Sequence, residues 1–130
     1  MRYLSLAEAL VIAEAVTGLD AAVLSKTAGI GLLDSALNSP KASFGGEEFY
    51  PEFIDKAAVL AVHVARNHPL PDGNKRLAWG CLNMFCALNG RELEATADDA
   101  VDQMLAVAAG NADEAAMRTW LAERIRPSID

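Results

Sequence analysis

Basic charge, cysteine and long apolar runs are all scarce in this sequence, and each scarcity removes a class of function. Eleven lysines and arginines stand against eighteen aspartates and glutamates, a formal net charge of −7. A phosphate backbone rewards net basic surfaces, so direct nucleic-acid binding is not expected, and any phosphate must be held by local geometry. No uninterrupted stretch approaches the roughly 20 apolar residues that span a bilayer, so no membrane partner is expected either. Leu4–Val16 is broken by Glu8 and Glu14 and no cleavage-like site follows, which predicts a cytoplasmic protein without an export signal. Cys81 and Cys86 are five apart in an expected helix and point to different faces. They read as buried thiols in a reducing compartment, not as a disulfide or a metal pair. Aromatic and β-branched residues are outnumbered by alanine and leucine, a bias that favours helix over sheet.

What is present is a chain of 130 residues, 52% of them apolar, enough for one domain with a hydrophobic core. Ser5 with Glu8 forms a capping-box pattern, and Leu6, Leu10 and Ala13 follow at helical spacing. Gly18 closes that helix, and Asp20 caps a second that ends near Gly29. A third fits Leu32–Asn38 and stops before Pro40. Lys41–Pro51 has no helical period and carries Gly45-Gly46, Glu47-Glu48, Phe44, Phe49 and Tyr50. It reads as a surface loop or short β-hairpin, either a plain connector or a flap whose backbone edge pairs with an incoming peptide.

Ile54–Asn67 is apolar nearly all round, as a central helix should be, and Lys75–Asn89 is similar, ending at Asn89-Gly90. Thr96 with Asp99 caps a helix to about Ala109, and Asn111 with Glu114 caps a last one running to Pro127. The fold predicted is all-α: a compact bundle of six or seven helices, residues 1–130 forming a single domain, with one short flap or hairpin before the central helix.

Between the two most apolar helices lies His68-Pro69-Leu70-Pro71-Asp72-Gly73-Asn74-Lys75-Arg76. Burying such polar groups between core helices costs desolvation free energy unless they find partners, so a functional reading is warranted. Gly73 and Asn74 permit a tight turn whose N–H groups converge at the start of the next helix, a place that favours an anion. Lys75 and Arg76 stand in that helix's first turn, where cations oppose the macrodipole unless an anion is near. Two cations and several N–H groups match a polyphosphate better than a carboxylate. Asp72 would repel that phosphate unless a divalent cation bridges them, and Mg²⁺ uses one carboxylate plus phosphate oxygens and water. An imidazole titrates near neutrality, so His68 can take the proton of an attacking hydroxyl. The set points to phosphoryl or nucleotidyl transfer to a hydroxyl.

The same residues, continuing through Leu77 and Ala78, resemble the signature of the Doc (death-on-curing) toxins, a branch of the Fic superfamily. The Fic pattern has histidine, an apolar residue two later, an acid, then Gly-Asn-Gly-Arg and a further arginine. Lys75 replaces the second glycine, the Doc variant, Leu70 stands where phenylalanine is usual, and Trp79 takes the place of the last arginine. The resemblance extends over Leu32–Leu37, Phe44–Glu47 and Tyr50-Pro51 and on to Phe85 and Asn89-Gly90, about half the chain.

It implies a Fic-like helical fold and the toxin of a toxin–antitoxin pair. Its activity would be that of a protein kinase that uses ATP and Mg²⁺ to phosphorylate a threonine of elongation factor Tu. By that likeness His68 is the general base, Asp72 serves the metal, and Gly73, Asn74, Lys75 and Arg76 hold the phosphates. Lys75 would crowd the space that glycine leaves for an α-phosphate in AMP-transferring relatives. A cognate antitoxin, Phd-like, is the implied partner, acting through a disordered segment that folds near the site. The alternatives are a Fic-type AMP transferase and an inactive Fic-fold binding module.

Other polar residues read more simply. His63 does not share the face of His68 and is expected in core or surface. Arg66 and Asn67 either adjoin the site or serve a helix C-terminus. Asp98, Asp99 and Asp102 are first-turn acids of a capped helix rather than a metal cluster. Thr119 with Glu123 and Arg124 is taken as a surface helix motif.

Overall fold

The structure is a computed structural model and describes residues 1–128. Seven α-helices are present among them: α1 (Leu6–Thr17), α2 (Ala21–Leu24), α3 (Ile30–Asn38), α4 (Phe53–Asn67), α5 (Asn74–Leu88), α6 (Ala97–Ala108) and α7 (Glu114–Ala122). Four short strands pair in two antiparallel ribbons, β1 (Ser43–Phe44) with β2 (Glu47–Glu48), and β3 (Arg91–Leu93) with β4 (Ile125–Pro127). The helical fold expected from composition is therefore observed, with a flap placed before the central helix.

Helix α4 is that centre. Ten of its fifteen residues are buried, four of them alanines that let α5, α7 and α3 approach closely. Phe85 of α5 stacks on Phe53 at 4.8 Å between ring centroids, and α5 also packs on α1 and α6. Gly80 makes the α1 contact possible, because a Cβ there would lie 2.6 Å from Ile12.

The caps follow the sequence closely. Ser5 and Glu8 form a reciprocal capping box, and the Ser5 hydroxyl accepts from the Glu8 N–H at 3.1 Å. The backbone hydrogen bond from Ser5, the largest of several contacts, holds the Glu8 carboxyl below its ordinary range against the opposing effect of burial. Asp20 caps α2 and Thr96 caps α6. The flap turns through Gly45 and Gly46 at φ +60° and +85°, a conformation two successive residues with side chains would strain to adopt.

Four boundaries differ from the sequence reading by two residues or more, the first being α3, which starts at Ile30 rather than Leu32. Helix α2 stops at Leu24 rather than near Gly29, because the Ser25 and Thr27 hydroxyls take the carbonyls of Ala22 and Leu24 and turn the chain. The last helix is capped by Asp113 rather than Asn111, its carboxylate accepting from the Ala116 N–H at 2.8 Å. It ends at Ala122 instead of continuing to Pro127, since Ile125–Pro127 pairs with Arg91–Leu93. That second ribbon was not expected. Three residues per strand, about 30 positions apart, leave too little alternation to read.

Among the described residues no helix is long and apolar enough to cross a membrane. Cys81 and Cys86 are both buried and free. Burial pushes their thiols up, to about 12 and about 11 respectively, the second opposed by nearby Arg91.

Candidate active site

The loop begins where α4 is forced to end. Pro69 disfavours helical backbone at the residue before it, and His68 takes the left-handed conformation at φ 48°, ψ 55°. It is the only non-glycine residue with positive φ among those described. Such backbone persists where the surroundings over-determine it. Pro69 and Leu70 then turn inward and are buried, while His68 and Asp72 on either side are exposed. Burial of the two apolar residues is what presents the two polar ones.

Two further contacts fix this shape. The Leu70 N–H donates to Asn74 Oδ1 at 2.8 Å, and Asn74 Nδ2 donates to the Leu70 carbonyl at 2.9 Å. One amide side chain thus satisfies both backbone groups of the buried residue and draws the loop back onto the start of α5. On the opposite side Gly29 lies against Pro69, where a Cβ would fall 1.8 Å from the Pro69 carbonyl oxygen. A Cβ on Gly73 would likewise fall 2.7 Å from Val16, and the φ of +86° there independently favours glycine. The loop is held by its contacts with α1, the start of α3 and α5.

The start of α5 has the features that favour an anion. No side chain caps it, and the Gly73 N–H is taken by Asp72 Oδ1 at 2.8 Å. The next N–H groups, those of Asn74, Lys75 and Arg76, precede the first intrahelical bond, which Leu77 makes to Gly73. Lys75 and Arg76 are exposed, and neither has an anionic partner among the described residues. The Arg76 guanidinium reaches back toward the helix start, 3.8 Å from where a Gly73 Cβ would be. Beside these cations a cavity of about 330 Å³ opens between α5 and α6, lined by Lys75, Arg76, Trp79, Val101, Met104 and Leu105. Its walls are almost wholly apolar below the two charges.

All six residues singled out in the sequence, His68, Asp72, Gly73, Asn74, Lys75 and Arg76, therefore lie on one clamped loop and the first turn after it. The Asn74 side chain is committed to the loop backbone, so its N–H is the group it can offer an anion. Gly29 was missed as a residue of this site; its signal was a glycine, one residue before α3, where helix continuation would favour a side chain.

The remaining polar residues have other partners. His63 Nε2 lies 3.0 Å from Glu114 Oε1 on α7. Arg66 donates to the carbonyls of Val107 and Ala112, closing the end of α6 rather than of its own helix. Asn67 donates to the Leu32 carbonyl. Asp99 binds Arg124 at 2.7 Å, and Thr119 donates to its own helix at Ala115. Trp79 meets Trp120 edge-on at 6.1 Å. Leu70 is buried and shares the wall of a small cleft with Leu10, Leu24, Leu33 and Pro69.

The sequence matches the Fic/DOC family over residues 3–86. It is 46% identical over 85 residues to a protein of Mycolicibacterium smegmatis named Toxin Doc, an alignment that covers 64% of this chain and 65% of that protein. The likeness thus spans just under two thirds of the relative's length and contains the whole loop.

Proposed function

We propose, from the premise that the chain belongs to the Fic/DOC family, that it is the toxin of a toxin–antitoxin pair. Its reaction is transfer of the ATP γ-phosphoryl group to a threonine of elongation factor Tu, which arrests translation. The observation that carries the reading is the pairing of an exposed, left-handed His68 with an uncapped helix start bearing two cations that have no anionic partner among the described residues.

The N–H groups of Asn74, Lys75 and Arg76 and the two cationic side chains receive the phosphates, where preorganised donors meet charge that spreads during transfer. The nucleoside lies in the apolar cavity against Trp79. His68 takes the proton of the threonine hydroxyl as that oxygen attacks the γ-phosphorus and the bond to ADP breaks. A positioned base of this kind contributes ~10²–10⁴-fold. Asp72 fits Mg²⁺: one carboxylate oxygen is held by Gly73, the other is available, and the group is exposed beside the phosphate site. Bound there, Mg²⁺ would neutralise phosphate charge.

Lys75 distinguishes this reading from AMP transfer. A side chain at that position crowds the N-terminal turn where glycine would let an α-phosphate seat. The antitoxin, of the Phd kind, restrains the enzyme through a segment that folds into the groove near the site. The test is incubation of purified elongation factor Tu with the chain, Mg²⁺ and ATP labelled at either the γ- or the α-position, with His68→Ala as control. Label from the γ-position alone, lost in the variant, is expected; label from the α-position would replace the kinase reading with AMP transfer.

A further inference from the structure

Among the described residues Lys56 is the buried charged side chain, 2% exposed, and the reaction above makes no use of it. It stands in the first turn of α4, where a cation opposes the helix dipole, so its place needs another reason. Its Nζ donates to Glu48 Oε1 at 2.7 Å and to the Pro40 carbonyl at 3.2 Å. The Tyr3 ring centroid is 5.7 Å away.

Those two partners bracket the flap. Pro40 lies in the short 3₁₀ turn Ser39–Lys41 that leads into β1, and Glu48 is the last residue of β2. One ammonium therefore joins the entrance and the exit of the ribbon and fixes both to the central helix. The flap has little else to order it. Its strands are two residues each, every residue from Ser43 to Phe49 is exposed, and Phe44 is 80% exposed. An isolated ribbon of that size has no independent stability in water. Beyond the strand pairing, its stem has the bond from the Phe49 N–H to the Ala42 carbonyl at 2.9 Å.

We infer that Lys56 is a positioning residue: through Glu48 and Pro40 it holds the Ser43–Glu48 ribbon at a set angle to α4, so that the unpaired strand edge is ready to receive an extended segment of the protein substrate. The role in substrate capture rests on the proposed transfer to a protein hydroxyl. Burial alone would lower the Lys56 pKa, yet the bond to Glu48 and the neighbouring Tyr3 hold it above its usual value, so the ammonium stays charged.

Backbone hydrogen exchange on the whole chain tests the inference without requiring activity. Glu48 has a half-exposed side chain, so Glu48→Gln removes the charge partner with little risk to folding. Exchange at the Phe49 amide should accelerate by ~10-fold or more, given the strength of a hydrogen bond between charged groups. Amides of α5 should keep their wild-type protection. Lys56→Met, which keeps the apolar stem, should reproduce the effect. In transfer assays both variants should raise KM for the protein substrate severalfold and leave KM for ATP and kcat at saturating protein unchanged. Unaltered exchange at Phe49 in Glu48→Gln, or equal acceleration through α4 and α5, would overturn the inference. A flap effect in a chain that transfers no label would support Lys56 as the anchor and count against the transferase instead.

Discussion

Replacing Gly29 with alanine moves the His68–Arg76 loop without altering any residue on it. Gly29 has ordinary helical backbone at φ −77°, so alanine is acceptable there by conformation. The new methyl group would nevertheless sit 1.8 Å from the Pro69 carbonyl oxygen and 2.7 Å from its carbon. Ordinary contact requires the two to separate by roughly 1.5 Å. Neither side yields freely: α3 packs on α4, and Pro69 is buried between His68 and a Leu70 whose backbone is tied to Asn74. Overpacking of this kind costs ~1–3 kcal/mol, offset by ~0.4–1 kcal/mol from the stiffer unfolded chain. The net loss lowers Tm by several degrees, whereas a displacement of about 1 Å at the proposed base costs ~10²-fold in kcat. Gly31→Ala is the control. It lies two residues on, inside α3, with nothing within 4 Å of the added Cβ, so it should raise stability by ~0.5–1 kcal/mol and leave the rate alone. Thermal melts and single-turnover transfer on both variants decide the matter. Wild-type kcat in Gly29→Ala would refute the claim that Pro69 backbone placement governs His68.

Three further outcomes follow from the same contacts. Asn74→Ala strands both backbone groups of Leu70, at ~1–3 kcal/mol for each group left without a partner, and melts should show the loss. Asn74→Asp keeps an acceptor for the N–H but sets a carboxylate against the carbonyl, so it should not restore stability. Leu70→Phe should change stability by less than ~1.5 kcal/mol in melts, because Leu70 borders a small cleft with Leu10, Leu24 and Leu33 into which a ring can extend. Cys81 and Cys86 should resist thiol reagents at neutral pH until the protein unfolds. With folded values of about 12 and about 11 against an ordinary 9.0, their contribution to stability is fully present below pH 9 and lost as the pH rises beyond it. Denaturant titrations at neutral and at strongly alkaline pH measure that loss.

Much of this architecture was legible because the sequence carries local chemistry at its boundaries. Ser5 with Glu8, Asp20 and Thr96 act within three residues of themselves, so their caps could be read directly. The loop was legible for a related reason: His68, Asp72, Lys75 and Arg76 are conspicuous between two apolar helices, and proline and glycine mark the turn. What escaped depends on distant partners. Arg91–Leu93 finds Ile125–Pro127 only in the folded chain, which ends α7 early. Lys56 lies on a helix read as apolar nearly all round, and nothing local ties it to Glu48 and Pro40. Gly29 carries no side chain to advertise its contact with Pro69. Asn74 was placed at the phosphates by likeness to the family, and nothing local foretold that its side chain would be held by both backbone groups of Leu70.

The most direct test of the central claim is the mass of elongation factor Tu after incubation with the chain, ATP and Mg²⁺, with the modified residue located by fragmentation. A gain of one phosphoryl group on a threonine, abolished by His68→Ala, is the result expected. A gain of one adenylyl group, or phosphorylation that persists undiminished in His68→Ala, would contradict the account of this loop.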